Sequence, residues 1–141
     1  MNRPFKILGV EHIGIAVSDL NKGTKILNEI LGIPRVRTEE IIDQGIVTDI
    51  FKTDTGKLEL IKSIKEKSII DRFIKKRGNA IHHIALAVDD LDSALKYLKK
   101  KNIRLIDERP KIGAEGYKIA FINPKDAFGI LIELCEKNKR I

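Results

Sequence analysis

The chain has 141 residues, 43% apolar and 33% charged, a balance that fits one globular domain or two tightly packed half-size modules and excludes a disordered chain. Its formal charge is +7, yet the basic residues scatter along helical faces (Lys75-Lys76-Arg77, Lys99-Lys100-Lys101) and no Trp is present, so no aromatic-interleaved basic stripe offers nucleic acid a stacking surface. No apolar run approaches the roughly 20 residues that span a bilayer, and the lone Cys135 excludes an internal disulfide and points to a reducing, cytoplasmic setting.

In chain order, residues 12–20 read His-Ile-Gly-Ile-Ala-Val-Ser-Asp-Leu, an apolar run that predicts a buried strand. Ser18 or Asp19 then caps a helix whose apolar stripe is Ile26, Leu27, Ile30 and Leu31. Gly32-Ile33-Pro34 stops it, because Pro cannot continue a helix. Three strands follow, at about 35–40, 45–53 and 57–62, and residues 68–76 predict a linking helix that ends near Gly78. Residues 83–91, His-Ile-Ala-Leu-Ala-Val-Asp-Asp-Leu, then repeat the opening strand 71 residues further on, with six of nine positions identical. Asp89 or Asp90 caps the second helix, whose face is Leu91, Ala94, Leu95 and Leu98, and strands at about 103–107, 117–122 and 129–135 close the half.

Self-similarity at half the chain length signals a duplicated structural unit. The fold class is therefore α+β: one domain, residues 1–141, built from tandem βαβββ modules at 8–65 and 79–136 with a short helical linker. Neither module buries a sufficient core alone.

The three histidines, His12, His82 and His83, all open the two equivalent strands, and the repeat pairs His12 with His83. Each half also ends in a strand with a carboxylate among aliphatics: Glu59 in Lys57-Leu-Glu-Leu-Ile61, and Glu133 in Ile130-Leu-Ile-Glu-Leu-Cys135. With a side-chain period of two, each Glu points away from its aliphatic neighbours. A buried carboxylate needs a partner, since an unpaired charge costs several kcal/mol. A histidine in a strand is ordinarily a hydrogen-bonded core residue, and a strand glutamate ordinarily faces water; it is the duplication of both that points to a shared divalent cation. Nitrogen and oxygen donors without thiolate suit Co, Mn, Ni, Fe or Zn. His82 has Glu11 as its repeat counterpart, which is no match, and reads as structural.

With these residues placed, the chain resembles the vicinal oxygen chelate superfamily over about residues 8–136. Val10-Glu-His-Ile-Gly-Ile-Ala-Val17, Ile81-His-His-Ile-Ala85, Pro110-Lys-Ile-Gly-Ala-Glu-Gly116 and Phe121 through Glu133 are most similar to methylmalonyl-CoA epimerases. The resemblance implies a curved mixed sheet around a metal site, with His12, Glu59, His83 and Glu133 as ligands. It also implies proton abstraction beside the thioester of an acyl-CoA, the enolate stabilised by the metal, with an acid/base group on each face of the carbon. Glu133, close to the metal, serves one face. Some of these epimerases carry a glutamate on the strand matching Gly45–Phe51, where an ungapped match puts Thr48. Asp49 is adjacent, and a β-bulge would have to re-aim it to make it the second catalytic group. Lys111 and Lys125 are candidates for CoA phosphates, Lys acting as a point charge; Gly113 and Gly116 either assist there or only make the turn.

The same ligand types fit glyoxalase I, acting on the methylglyoxal–glutathione hemithioacetal. A non-catalytic small-molecule-binding or resistance protein is the reading from another class. Membrane and nucleic-acid partners are not expected. The resemblance is compatible with a homodimer.

Overall fold

The structure is a computed structural model that describes residues 2–137; Met1 and residues 138–141 of the expected domain lie outside the described residues. β-branched runs and capped amphipathic segments alternate as the repeat requires. The elements are β1 (Ile7–Ala16), α1 (Leu20–Thr24), β2 (Arg35–Ile41), β3 (Ile46–Lys52), β4 (Lys57–Ser63), α2 (Ile69–Arg77), β5 (Ala80–Val88), α3 (Leu91–Lys100), β6 (Lys111–Ile112), β7 (Lys118–Ile122) and β8 (Ile132–Glu136). The class is mixed α+β, as the sequence predicts. Two units form, one of His12–His82 and one of the segments flanking it.

In the His12–His82 unit the strands run β2-β3-β4-β1, with β1 parallel to β4 and the other pairs antiparallel. Strand alternation gives this sheet two faces. On one, Ala16, Ile46 and Ile61 are buried beneath Ile70, Phe73 and Ile74 of α2. Ser68 caps α2 by accepting from the Asp71 amide, three basic residues complement its C-terminal dipole, and Gly78 ends it at φ 71°. The burial of Ile70 alone is worth about 1.5–3 kcal/mol. On the opposite face Val17, Phe51 and Leu60 pack with Leu20 and Leu27.

The first helix departs from its predicted stripe. Asp19 caps it, accepting from the Lys22 amide, but after one α-turn the chain widens into a π-turn over Lys25–Ile30. The Leu31 amide then reaches back to Ile26 and that of Ile33 to Leu27. This extra residue per turn resets the helical phase. Leu27 stays on the core, while Ile26, Ile30 and Leu31 are exposed, Ile30 at 67%.

In the other unit the strands run β5-β8-β7-β6, with β5 parallel to β8. Asp90 caps α3 through the Ser93 amide, and Leu91, Ala94 and Leu95 bury against Val88, Ala120 and Leu134, with Leu98 alongside. The strand predicted at 103–107 shrinks to a single bridge, Leu105 to Ile122. The Asp107 carboxylate takes the Phe121 amide that the ladder would use, and Pro110 has no amide to give. Pairing resumes only at β6. The strand predicted from 129 begins at Ile132, because residues 127–130 form turns in which Phe128 (φ 45°) and Gly129 (φ 84°) adopt left-handed backbone. The N-terminal segment belongs to this unit: Lys6 and Asp89 exchange hydrogen bonds, and Phe5 meets Tyr97 edge-on at 5.7 Å. Among the described residues no helix is long and apolar enough to cross a membrane.

Candidate active site

The β1/β4 register puts Gly14 beside Glu59, and His12, two residues earlier, shares that face. His12 Nε2 lies 3.3 Å from Glu59 Oε2, with both side chains buried. The other unit repeats the device. Ala85 sits beside Glu133 in the β5/β8 register, and His83 Nε2 lies 3.9 Å from Glu133 Oε1, again buried. Each carboxylate thus has a glycine or alanine beside it in the register. Phe121, paired with Glu133 across β7/β8, meets the His83 ring edge-on at 6.1 Å. Imidazole nitrogens with carboxylate oxygens, one of each per unit, are a donor set that fits a divalent first-row cation.

His82 points to the face opposite His83. It packs edge-on against Phe73 at 5.0 Å, and burial lowers its pKa below the usual histidine range. It holds α2 to β5.

Asp49 is not brought to Glu59. The β3/β4 pairing runs unbroken from Ile46–Ser63 to Lys52–Lys57, so no bulge re-aims it. Opposed residues share a face: Asp49 goes with Leu60, whereas Thr48 and Ile50 go with Ile61 and Glu59. The Asp49 carboxylate is buried, 3% exposed, where it accepts the hydroxyls of Thr24 and Thr38 and has Arg35 Nη1 at 3.7 Å. It ties α1 and β2 to the back of the sheet.

The bulge lies instead in β2. Arg35 opposes Phe51, Arg37 opposes Ile50, and Val36 is the extra residue. Arg35 and Arg37 would share a face in a regular strand; here Arg35 stays with Asp49 and Arg37 moves to the Glu59 face. Glu39, opposite Thr48, is on that face too, with its Oε1 3.3 Å from Arg37 Nε. Sequence alternation did not find these two, because one inserted residue inverts the parity by which faces are read.

Lys111 opposes Ile119, which opposes Cys135, two residues past Glu133. It therefore belongs to the Glu133 face. Its Nζ sits 5.0 Å above the Phe121 ring and 3.3 Å from the Asp107 carboxylate. Lys125 lies exposed on the short helical turn Pro124–Asp126 between β7 and β8. The turn is pinned by Arg104, whose guanidinium hydrogen-bonds to Asp126 hold that carboxyl down to about 2. Gly113 has a packing reason: a Cβ there would come within 2.6 Å of Ile119.

A duplicated βαβββ unit with a buried His–Glu couple in each copy defines a glyoxalase-like protein. The family model for the Glyoxalase/Bleomycin resistance protein/Dioxygenase superfamily matches residues 11–121, and the chain belongs to that superfamily. Within it, the chain is 36% identical over 129 residues to the mitochondrial methylmalonyl-CoA epimerase of Dictyostelium discoideum, covering 91% of this chain and 78% of that one. It is also 36% identical over 127 residues to an uncharacterized Bacillus subtilis protein, covering 90% and 91%. The crystal structure of methylmalonyl-CoA epimerase from Mycobacterium tuberculosis aligns with a TM-score of 0.91 at 35% identity, covering 99% of this chain and 94% of that one.

Proposed function

We propose that the chain is a metal-dependent isomerase that inverts the α-carbon of methylmalonyl-CoA or a similar acyl-CoA. The observation that carries this reading is the repeated buried couple, His12–Glu59 and His83–Glu133, built on the same register in each unit. Its relatives among methylmalonyl-CoA epimerases supply the substrate class. His12, Glu59, His83 and Glu133 would together hold one divalent cation. When bound, the cation supplies Lewis acidity toward the thioester and carboxylate oxygens of the substrate.

The protein's own groups move the proton. A carboxylate takes it from the α-carbon, the C–H electron pair passes to the thioester oxygen, and a carboxyl group on the opposite face returns a proton to carbon. Such positioned acid/base groups contribute typically 10²–10⁴-fold each. Glu133 serves one face. Lys111, its ammonium on the Glu133 face and nearly half exposed, meets a CoA phosphate as a point charge. Exposed Lys125 is a second such charge.

The test is exchange of (2R)- and (2S)-methylmalonyl-CoA in deuterated water, using metal-stripped protein resupplied with Co²⁺. Interconversion with deuterium at the α-carbon is expected, dependent on the cation and lost in His83→Ala. No exchange, with one cation bound per chain, overturns the isomerase reading. Methylglyoxal with glutathione is run alongside; turnover of that adduct instead would move the chain to glyoxalase chemistry.

A further inference from the structure

Among the described residues no large apolar side chain is more exposed than Phe128, at 85%. It stands on the turn between β7 and β8, in the unit that holds Glu133. We propose that this turn seats the nucleotide end of the substrate, with Phe128 stacked on the adenine ring and Lys125 against a phosphate. The proposal rests on the acyl-CoA reading above and extends it to the half of the substrate that takes no part in the proton transfer.

The fold itself gains nothing from this ring. Phe128 adopts left-handed backbone at φ 45°, and Gly129 follows at φ 84°. A residue with a Cβ is held there against a steric cost that glycine does not incur. Burial of the ring would offset that cost, and the ring is not buried. Its neighbour Ala127 is the residue that enters the core, in the cluster with Val88 and Leu134. A phenyl ring kept in water, at a position that suits glycine better, points to a contact from outside the fold.

The turn is stiff. The Pro124 carbonyl accepts the amides of Ala127 and Gly129, at 3.0 and 2.8 Å, and the Ile130 amide closes on Ala127. Asn123 accepts the Lys125 amide on its side chain and the Asp126 amide on its carbonyl. Arg104 grips the Asp126 carboxylate through its guanidinium and its own amide. The backbone beneath Phe128 and Lys125 is therefore fixed before a ligand arrives, and the phenyl ring has only two torsions left to lose.

The chemistry of the turn selects the occupant. Residues 123–130 hold one acid, Asp126, and Arg104 neutralises it. What the turn shows to solvent is thus the Lys125 ammonium and the Phe128 ring. A Cβ at Gly129 would meet nothing within 4 Å, so the space beside the ring is open. A flat heterocycle that carries phosphates matches a phenyl face beside an ammonium, through stacking and a point charge together. The placement agrees. Ile122–Ile132 is the ladder pair next to the turn, and Phe121–Glu133 is the one after it. Phe128 and Glu133 are five residues apart, at most about 18 Å of chain, a span that the extended pantetheine arm of a CoA thioester covers.

The chain contains no Trp, so Phe128→Trp places a single indole at the proposed seat. Titration of the cation-loaded variant with CoA should quench its emission saturably, while pantetheine, which lacks the nucleotide, should not. Adding Lys125→Met should raise the dissociation constant for CoA at least threefold and reduce its salt dependence. By calorimetry Phe128→Ala should bind CoA at least fivefold more weakly than the wild type, with no fall in Tm. Fivefold is the lower end of the roughly 5- to 150-fold that stacking a base on an aromatic ring contributes. Absent quenching by CoA, equal quenching by pantetheine, or a loss smaller than fivefold in Phe128→Ala overturns the assignment. So does emission that changes with protein concentration alone, the mark of a second copy covering the ring. Wild-type exchange of the α-proton without the CoA signals removes only the seat. The CoA signals without exchange keep a nucleotide site and remove the isomerase reading.

Discussion

Replacing Asp49 by Asn separates a structural carboxylate from a catalytic one. The substitution keeps the shape but turns two hydroxyl-to-carboxylate hydrogen bonds, from Thr24 and Thr38, into neutral ones and removes the charge facing Arg35. Hydrogen bonds to a charged acceptor contribute about 1.5–3 kcal/mol and neutral ones about 0.5–1.5, so the pair loses about 2 kcal/mol. Arg35 is half exposed, and an ion pair of that kind adds no more than about 1 kcal/mol. The total is about 2–3 kcal/mol, which for a chain of this size lowers Tm by roughly 6–12 °C. Circular dichroism melting reads that shift, and deuterium wash-in at the α-carbon at 15 °C reads the chemistry of the folded population. Exchange per folded molecule should stay within threefold of the wild type. A variant that melts within 2 °C of the wild type and loses more than tenfold in exchange would refute the reasoning and return Asp49 to the reaction.

Cation removal should lower Tm, and Co²⁺ at about 100 times its dissociation constant should restore about 2.7 kcal/mol, read by calorimetry; His12→Ala should abolish most of that increment. Gly113→Ala should destabilise by about 1–3 kcal/mol in denaturant titration, because its Cβ meets Ile119 at 2.6 Å. For Asp126, the folded carboxyl at about 2 lies below its ordinary 3.8, so its contribution is complete above about pH 4 and lost as pH falls through 2. Asp126→Asn should flatten that part of the stability–pH curve, followed by urea melts from pH 5 to pH 2.

Much of this was legible in the sequence for a physical reason: duplication turns two weak signals into one pattern. His12 and His83, Glu59 and Glu133 each stand on a strand whose alternation is regular, so period two assigns their faces correctly. α2 and α3 carry side-chain caps that mark their starts. The failures occur where one residue is added to a regular period. The π-turn at Lys25–Ile30 rotates Ile30 and Leu31 to the surface, and the bulge at Val36 hides the partnership of Arg37 and Glu39. The third kind of miss is competition by a side chain: Asp107 takes a ladder amide and erases a strand that its neighbours favour. No local pattern announces that the N-terminal segment packs with α3, since Phe5 and Tyr97 are joined only by tertiary contact.

The bulge in β2 also sets what change this strand tolerates. Seven residues give one guanidinium to each side of a sheet, Arg35 clamping the buried Asp49 and Arg37 steadying Glu39, which strict alternation forbids for residues two apart. Point substitution at Val36, an exposed and unpaired position, disturbs neither. Deleting it would make the two arginines neighbours in an unbroken ladder, still opposite Phe51 and Ile50 and still on opposite sides, so this strand should tolerate the loss of that one residue as readily as its exchange.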